Sequence, residues 1–279
     1  MRKIIIPTDF SENASNAIRY AVRLFEEMEC TFYLLHTFTP AAYNVATLAD
    51  SYSALQMQEI SRKNAEEGME RIISDVEKEF GNTKHFFERV VSFNLLVMEI
   101  LDLIETKNIE LIVMGTQGAT GAKEVFIGTN TTQTLKKANI PVLAVPSSYG
   151  YEPPRDILFP TDYAFDKSNR YLPWLKELCG AHHAELHILN AYSGEPLSPE
   201  KKEVQQFLND YFNNTPHEFH IEEDTDVLGA ISEYEKKARF NLLVMIHNKH
   251  TFFENLLFKP VINQVAYHTQ VPFLVLPAQ

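Results

Sequence analysis

The stretch Ile4–Phe10 reads IIIPTDF and recurs as Ile157–Tyr163, which reads ILFPTDY. A Ser-Asn pair follows each Asp at the same distance, as Ser15-Asn16 and Ser168-Asn169. Matching segments at one fixed offset are the signature of an internal repeat. The chain therefore contains the same kind of domain twice.

Two later landmarks extend the repeat. LIVMG at 111–115 matches LLVMI at 242–246, and IPVLAVP at 140–146 matches VPFLVLP at 271–277. These matches have a shorter offset than the first ones, so the first copy carries about 22 extra residues. They fall mainly where Ala41–Phe80 is longer than Ser193–Asn213.

A linker separates the two copies. Ser147–Pro154 contains Gly150 and a Pro pair, which interrupt a helix or a central strand. We therefore predict one domain over residues 1–147 and a second over residues 153–279.

Short apolar runs alternate with amphipathic segments in each copy. Runs this short and apolar are typical of buried parallel strands covered by helices on both faces. In the first copy the predicted strands are Lys3–Ile6, Thr31–His36, His85–Val91, Glu110–Met114 and Val142–Val145. The predicted helices are Asn13–Glu29, Asp50–Phe80, Leu95–Glu105 and Glu124–Ala138. The pattern predicts an α/β fold with two tandem, open, five-stranded parallel sheets flanked by helices, of the Rossmann type.

Composition and charge limit the possible partners. The chain of 279 residues has a formal charge of −12 at pH 7, and both halves are acidic. A phosphate backbone or an anionic membrane is repelled by such a field, so we expect neither as a partner. We expect a cytoplasmic protein without an export signal, because the N-terminus lacks a long apolar stretch and the two cysteines lack a CxxC spacing.

A set of glycines follows the fourth predicted strand. Gly115-Thr116-Gln117-Gly118 is followed, nine residues later, by Gly128-Thr129 at the start of a helical segment. Glycine lets phosphate approach main-chain N–H groups, and a helix N-terminus adds unpaired N–H groups and a favourable dipole. The spacing is neither the Walker pattern nor GxGxxG.

The pattern Gly-x2-Gly-x9-Gly-Ser/Thr resembles the ATP-binding signature of universal stress proteins. IIIPTDFSENA at the start and IPVLAVP at the last strand of the first copy look like the same family. The resemblance covers both copies and implies a fold similar to the adenine nucleotide alpha hydrolases.

The resemblance also implies a binding site for ATP or a related adenine nucleotide, with Mg²⁺ as a companion ion. Asp9 would hold ribose hydroxyls or phosphate-bound Mg²⁺, and Thr37 and Met114 would border the adenine. The full set of implied binding residues is Pro7, Thr8, Asp9, Thr37, Met114, Gly115, Gln117, Gly118, Gly128, Thr129, Asn130 and Thr131. One departure is Ser92-Phe93-Asn94, where many family members have a Gly-x-Pro turn.

The second copy lacks the glycine set. The offset aligns Gly115, Gly118, Gly128 and Thr129 with Ile246, Lys249, Lys259 and Pro260. Each replacement adds a side chain where main chain would contact the ligand, and Pro260 also removes an N–H donor. We therefore expect no ATP site of this kind in the second domain.

These glycines and aspartates, and the histidines and cysteines of the chain, also have alternative interpretations. The glycine loop is also compatible with a tight turn that binds nothing, and Asp9 and Asp162 with turn or helix caps. The histidines at 182, 183 and 187 and the pair at 247 and 250 suggest zinc only weakly, because no Cys or carboxylate partner is evident. Cys30 and Cys179, placed at the end of the same helix or in the turn after it, fit small buried fillers better than nucleophiles.

The favoured function is a stress-response or regulatory protein that binds ATP in its first domain. Alternatives are a slow ATPase, for which only Asp9 and Lys123 offer suitable groups, and a scaffold that binds no nucleotide. Family members commonly dimerise through the last strand of the sheet, so we expect the two copies to pack as an internal pseudo-dimer. A homodimer of whole chains is compatible with this arrangement.

Overall fold

The computed structural model describes residues 1–39, 51–116, 127–192, 196–223, 225, 227–247 and 270–278. Strands and helices alternate through the first half, and through the second half up to Leu242–His247, as the sequence predicts.

The first half has five strands and four helices in its described residues. The strands are β1 Arg2–Pro7, β2 Cys30–Thr37, β3 His85–Ser92, β4 Leu111–Gly115 and β5 Val142–Val145. The helices are α1 Glu12–Leu24, α2 Ser51–Phe80, α3 Leu96–Lys107 and α4 Thr129–Lys137. The predicted strands are thereby confirmed to within a residue or two at each end.

The second half repeats this order with shorter helices. Its strands are β6 Asp156–Pro160, β7 Glu185–Tyr192, β8 His217–Glu223, β9 Leu242–His247 and β10 Phe273–Pro277. Its described helices are α5 Leu172–His182, α6 Pro199–Tyr211 and α7 Val227–Lys237. The helix α2 has 30 residues and its counterpart α6 has 13, which accounts for most of the extra length of the first copy.

All ten strands form one sheet in the order β3-β2-β1-β4-β5-β10-β9-β6-β7-β8. The pairings inside each half are parallel, while β5 and β10 pair antiparallel, with Leu143 opposite Leu274. The two five-stranded parallel sheets are therefore confirmed as units, and they are joined through their last strands. This is the contact expected for an internal pseudo-dimer.

Alternate residues of each strand point to opposite faces, so each sheet face carries its own apolar core. Ile4 and Ile6 belong to one core and Ile5 to the other, and all three are fully buried. Both cores contain residues from both halves. The helices cover these two faces, which leaves the strand ends as the place where polar groups can gather.

Further contacts join the two halves beside the β5–β10 pair. Arg2 lies over the Trp174 ring at 4.2 Å and forms an ion pair with Glu177. The Tyr171 hydroxyl donates to the Asn139 carbonyl at 2.6 Å, and His182 Nε2 lies 3.0 Å from the Leu24 carbonyl. The halves thus share side-chain contacts in addition to their common strand pair.

Three details of the sequence prediction were wrong. The first helix ends at Leu24 instead of continuing to Glu29, because Phe25 leaves helical geometry as its C-cap. In the described residues α4 begins at Thr129, with Gly128 as its N-cap. Cys30 does not follow a helix in the same way as Cys179: Cys30 opens β2, whereas Cys179 lies inside α5.

Candidate functional site

A cavity of about 270 Å³ lies at the carboxyl ends of β1 and β4. The strand order of the first half reverses between these two strands, which is where open α/β sheets bind their ligands. The cavity is lined by Pro7, Thr8, Asp9, Ala14, His36, Thr37, Leu96, Met114, Gly115, Gly128, Thr129, Asn130 and Thr131.

Ten of the residues implied by the resemblance line this one cavity. The other two, Gln117 and Gly118, lie outside the described residues. Sequence reasoning missed Ala14, His36 and Leu96. The signal for His36 was its position beside Thr37 at the end of β2, while Leu96 comes from the start of α3 and carries no recognisable motif.

The Pro-Thr-Asp segment forms a tight turn after β1. The Thr8 N–H donates to the Leu35 carbonyl at 2.8 Å, and His36 Nδ1 lies 2.8 Å from the Thr8 carbonyl. Phe10 then adopts a left-handed φ of 64°, and its ring packs against the His36 ring at a tilt of 37°, with 4.5 Å between the ring centroids. His36 is therefore a positioning residue that fixes the main chain of Thr8 at the cavity wall.

The second half builds the same turn. Tyr163 has a φ of 58°, and the Asn190 amide donates to the Thr161 carbonyl at 2.9 Å, as His36 contacts Thr8 in the first half. This shared geometry gives the repeated Pro-Thr-Asp motif a structural reason in both copies.

Asp9 has a structural role as well as a place at the cavity. Its Oδ1 accepts from the Ser11 N–H at 3.1 Å and from the Ser11 hydroxyl at 2.5 Å. In the second half Asp162 Oδ1 accepts from the Ala164 N–H at 3.0 Å. The turn-capping reading of this repeated Asp thus fits both copies, while a contact of Asp9 with ligand stays a proposal.

Gly115 is required by the packing of α1. A Cβ atom on Gly115 would lie 2.7 Å from Cγ of Asn13, which is in the first turn of α1. Strand register places Ile246 at the corresponding position, since Gly115 is opposite Val145 and Ile246 is opposite Leu276. The second half thus carries a side chain at the position that is a glycine in the first half, and its first helix begins only at Leu172.

The N-terminus of α4 faces the cavity. Its N-cap Gly128 has φ −59° and ψ 154°, with no side-chain cap among the described residues, and its N–H donates to the Thr116 carbonyl at 2.6 Å. The first N–H groups of a helix have no partner inside it and carry the positive end of the helix dipole. The Thr131 hydroxyl donates to the Gly115 carbonyl at 2.8 Å and so ties α4 to the end of β4.

The segment that replaces the Gly-x-Pro turn is held by polar contacts. The Ser92 hydroxyl and the Asn94 amide both donate to Glu99 Oε2, at 2.8 and 2.9 Å. These bonds fix the entry to α3 and with it Leu96 at the cavity wall. The site therefore keeps a defined wall here without the usual turn sequence.

The corresponding corner of the second half is described only in part. Ile246, at the place of Gly115, is buried. Lys249, Lys259 and Pro260 lie outside the described residues, as does His250.

Two of the histidines and both cysteines considered in the sequence have structural surroundings of their own. His183 is the left-handed C-cap of α5, with φ 50°, while His182 contacts the Leu24 carbonyl in the first half. Burial raises the pKa of both the Cys30 and the Cys179 thiol to about 12, so both remain protonated near neutral pH. This disfavours either cysteine as a nucleophile.

Fold and site together define a duplicated, Rossmann-like α/β protein whose candidate site lies at the strand-order reversal of its first half. The sequence model described as the Universal stress protein family matches residues 1–146 and 154–277. The chain belongs to this family, as a member with two tandem domains.

Known relatives match single halves or the whole chain. A universal stress protein of Methanocaldococcus jannaschii is 28% identical over 155 residues, which cover 52% of this chain and 94% of the relative. One from Bacillus subtilis is 24% identical over 145 residues, which cover 51% and 97%. The crystal structure of a universal stress protein from Archaeoglobus fulgidus covers 99% of this chain and 96% of its own, with a TM-score of 0.70 at 19% identity, and so shows the same fold.

Among the described residues no helix combines the length and the apolar character needed to cross a bilayer.

Proposed function

We propose that the first domain binds ATP or a related adenine nucleotide and that the second domain does not. The observation that carries the proposal is that the ends of β1 and β4 and the N-terminus of α4 line one cavity. Its volume of about 270 Å³ is close to the lower end of the range of about 300–1,000 Å³ typical of small-molecule sites.

The phosphate end of the nucleotide belongs at α4. This N-terminus has no side-chain cap within the described part of the chain and offers main-chain N–H groups and a helix dipole, and Thr129 and Asn130 add polar side chains to the wall. The adenine end belongs near Pro7, Thr37 and Met114, where the wall is more apolar.

Mg²⁺ is expected with the nucleotide. Within the described residues the cavity wall carries one carboxylate, Asp9, and neither Lys nor Arg. A free triphosphate would bring its negative charge close to this carboxylate, and the chain as a whole is acidic. A divalent cation between the phosphates and the wall removes this repulsion, so the magnesium complex is the favoured form.

The biological role we infer is that of a cytoplasmic stress-response or regulatory protein. The site lies on β4, which pairs with β5, and β5 joins the two halves through β10. A nucleotide that binds two arrangements of the halves unequally would shift the balance between them. Binding to this site, with or without slow hydrolysis, is sufficient for such a role.

A thermal-shift titration with ATP and Mg²⁺ tests the binding step. A ligand at 100 times its Kd stabilises the native state by about 2.7 kcal/mol, which corresponds to a rise in Tm of about 5–10 °C for a chain of this size. We expect such a rise for the parent chain and none for Gly128→Val. The φ of Gly128 is open to any residue and Gly128 lines the cavity, so we expect valine to narrow the cavity without straining the backbone.

Gly150→Val is the matched control for this experiment. A Cβ atom on Gly150 meets nothing within 4 Å, and the residue lies in the linker. This variant should keep the full rise in Tm. An unchanged Tm for the parent chain at millimolar ATP would contradict the proposal and support the scaffold alternative.

A further inference from the structure

Five ionisable side chains gather on one face of the second half, beneath α7. Strand register places His187 opposite Glu218, Leu189 opposite His220, and Asp156 opposite Glu185. Residues two apart on a strand share a face, so all five point to the same side as the apolar core around Tyr234. Polar groups on such a face need an explanation that apolar packing does not supply.

The two imidazoles face each other at a distance that suits a shared metal ion. His187 Nδ1 lies 3.2 Å from His220 Nε2, and His220 Nε2 lies 3.7 Å from Glu218 Oε2. The ligand atoms of His187, Glu218 and His220 all lie within 4.8 Å of one another. Two nitrogens bound tetrahedrally to zinc at 2.0–2.1 Å are about 3.4 Å apart, close to the spacing found here.

A carboxylate supports the far side of His187. Asp156 Oδ1 lies 3.5 Å from Nε2 of this ring, and Glu185 stands next to Asp156 in the same cluster. A carboxylate that accepts the N–H of one ring nitrogen leaves the other nitrogen unprotonated and fixes the ring orientation, as is usual for histidines that bind metals.

The cluster is largely buried around the two imidazoles and open to solvent on the Glu218 side, as a metal site requires. His187 is only 8% exposed, and the Tyr234 ring covers both imidazoles, at 5.8 and 5.0 Å between ring centroids. The Glu218 side chain is 62% exposed, so an ion can enter from solvent on that side. The Lys237 ammonium, on α7, is engaged with the Glu222 carboxylate.

We propose that His187, His220 and Glu218 bind one Zn²⁺ ion in the second domain, with Asp156 as a positioning residue. Two imidazoles and one carboxylate are a ligand set that zinc uses, and water would complete the coordination. The competing explanation is a direct hydrogen bond between the two imidazoles, which needs no metal.

The first half provides the control residues. The same register positions hold Tyr33 in place of His187, Val90 in place of His220 and Lys3 in place of Asp156. His187→Tyr and His220→Val therefore introduce side chains that this fold already accommodates at those positions. We expect the double variant to fold, with a far-UV circular dichroism spectrum like that of the parent chain.

The test is a zinc titration of the untagged, metal-free, full-length chain by calorimetry, without nucleotide. We expect one Zn²⁺ per chain, and Co²⁺ in its place should give the visible absorption bands of a four-coordinate site. Asp156→Asn should weaken zinc binding by about 10- to 100-fold. His187→Tyr and His220→Val, which each remove a ligand, should weaken it further and abolish the cobalt bands.

His217→Asn is the matched control, because His217 lies on β8 next to the site but points to the other face of the sheet. It should leave zinc affinity unchanged. Absence of zinc binding by the parent chain, or equal affinity of the parent chain and the double variant, would overturn the proposal and leave the imidazole hydrogen bond as the explanation. Gly128→Val should not change zinc affinity, so the outcome is independent of the nucleotide site.

Discussion

At the scale of single residues, Gly115 shows that a motif glycine can be fixed by packing before any ligand is considered. Its missing side chain makes room for Asn13, which brings the first turn of α1 against β4. Thr131 then donates to the Gly115 carbonyl and brings α4 to the same point. The glycine therefore shapes the cavity by letting two helices approach one strand end.

A double-mutant cycle tests whether Asn13 is the reason that position 115 needs glycine. Gly115→Ala should lower the free energy of unfolding by about 1–3 kcal/mol, the usual cost of an added methyl group in a well-packed place. In an Asn13→Ala background the same substitution should cost clearly less, because the clashing amide is gone. Urea unfolding of the four proteins measures the coupling. An equal cost in both backgrounds would show that Asn13 does not determine the need for glycine.

The repeated Ser-Asn pair also has its cause in the structure. The Asn16 amide donates to the Pro146 and Tyr149 carbonyls, both at 3.1 Å. The Asn169 amide donates to the Pro277 and Ala278 carbonyls at 2.8 and 3.0 Å. In both halves this asparagine holds the end of the last strand, so its recurrence in the sequence reflects the fold and gives no information about the ligand.

At the scale of elements, the strands of the first half could be predicted because each is a short apolar run bounded by polar or turn residues. The start of the second-half helix could not be predicted from the repeat alone. The repeat aligns Glu12, the first residue of α1, with Phe165, yet α5 begins at Leu172. Ile246 stands where the first half has Gly115, and this correspondence depends on the place of β9 in the sheet.

The residues of the candidate site could also be predicted only in part from the sequence. The resemblance to the family supplied the residues that carry a motif, and ten of them meet at one cavity. His36 and Leu96 were missed because they reach the cavity through the register of β2 and the start of α3. The pairing of His187 with His220 was missed because it depends on the register of β7 with β8.

At the scale of the whole molecule, the two halves form one sheet and share side-chain contacts in addition to the β5–β10 pair. His182 is part of this junction through its contact with the Leu24 carbonyl. Burial lowers its pKa, and the positive charge of Arg155 lowers it further, against the opposing effect of the hydrogen bond. The imidazole is thus more readily protonated in the unfolded chain than in the folded one.

The lowered pKa of His182 makes the free energy of unfolding depend on pH. A histidine whose pKa is lowered by folding stabilises the folded state above its ordinary pKa of about 6.5, and this contribution is lost as the pH falls below that value. We expect the free energy of unfolding to decrease from pH 7 to pH 5, and His182→Gln to make this decrease smaller. Urea unfolding at several pH values measures both slopes. Identical slopes for the two proteins would contradict this role of His182.

We propose that the two halves of this duplicated fold differ in one property: the first binds a nucleotide and the second does not. Native mass spectrometry of the full-length chain with ATP and Mg²⁺ tests this most directly, because it counts bound nucleotides per chain. We predict one nucleotide per chain, and none for Gly128→Val. Two nucleotides per chain, or one that persists in Gly128→Val, would contradict the assignment of the site to the first domain.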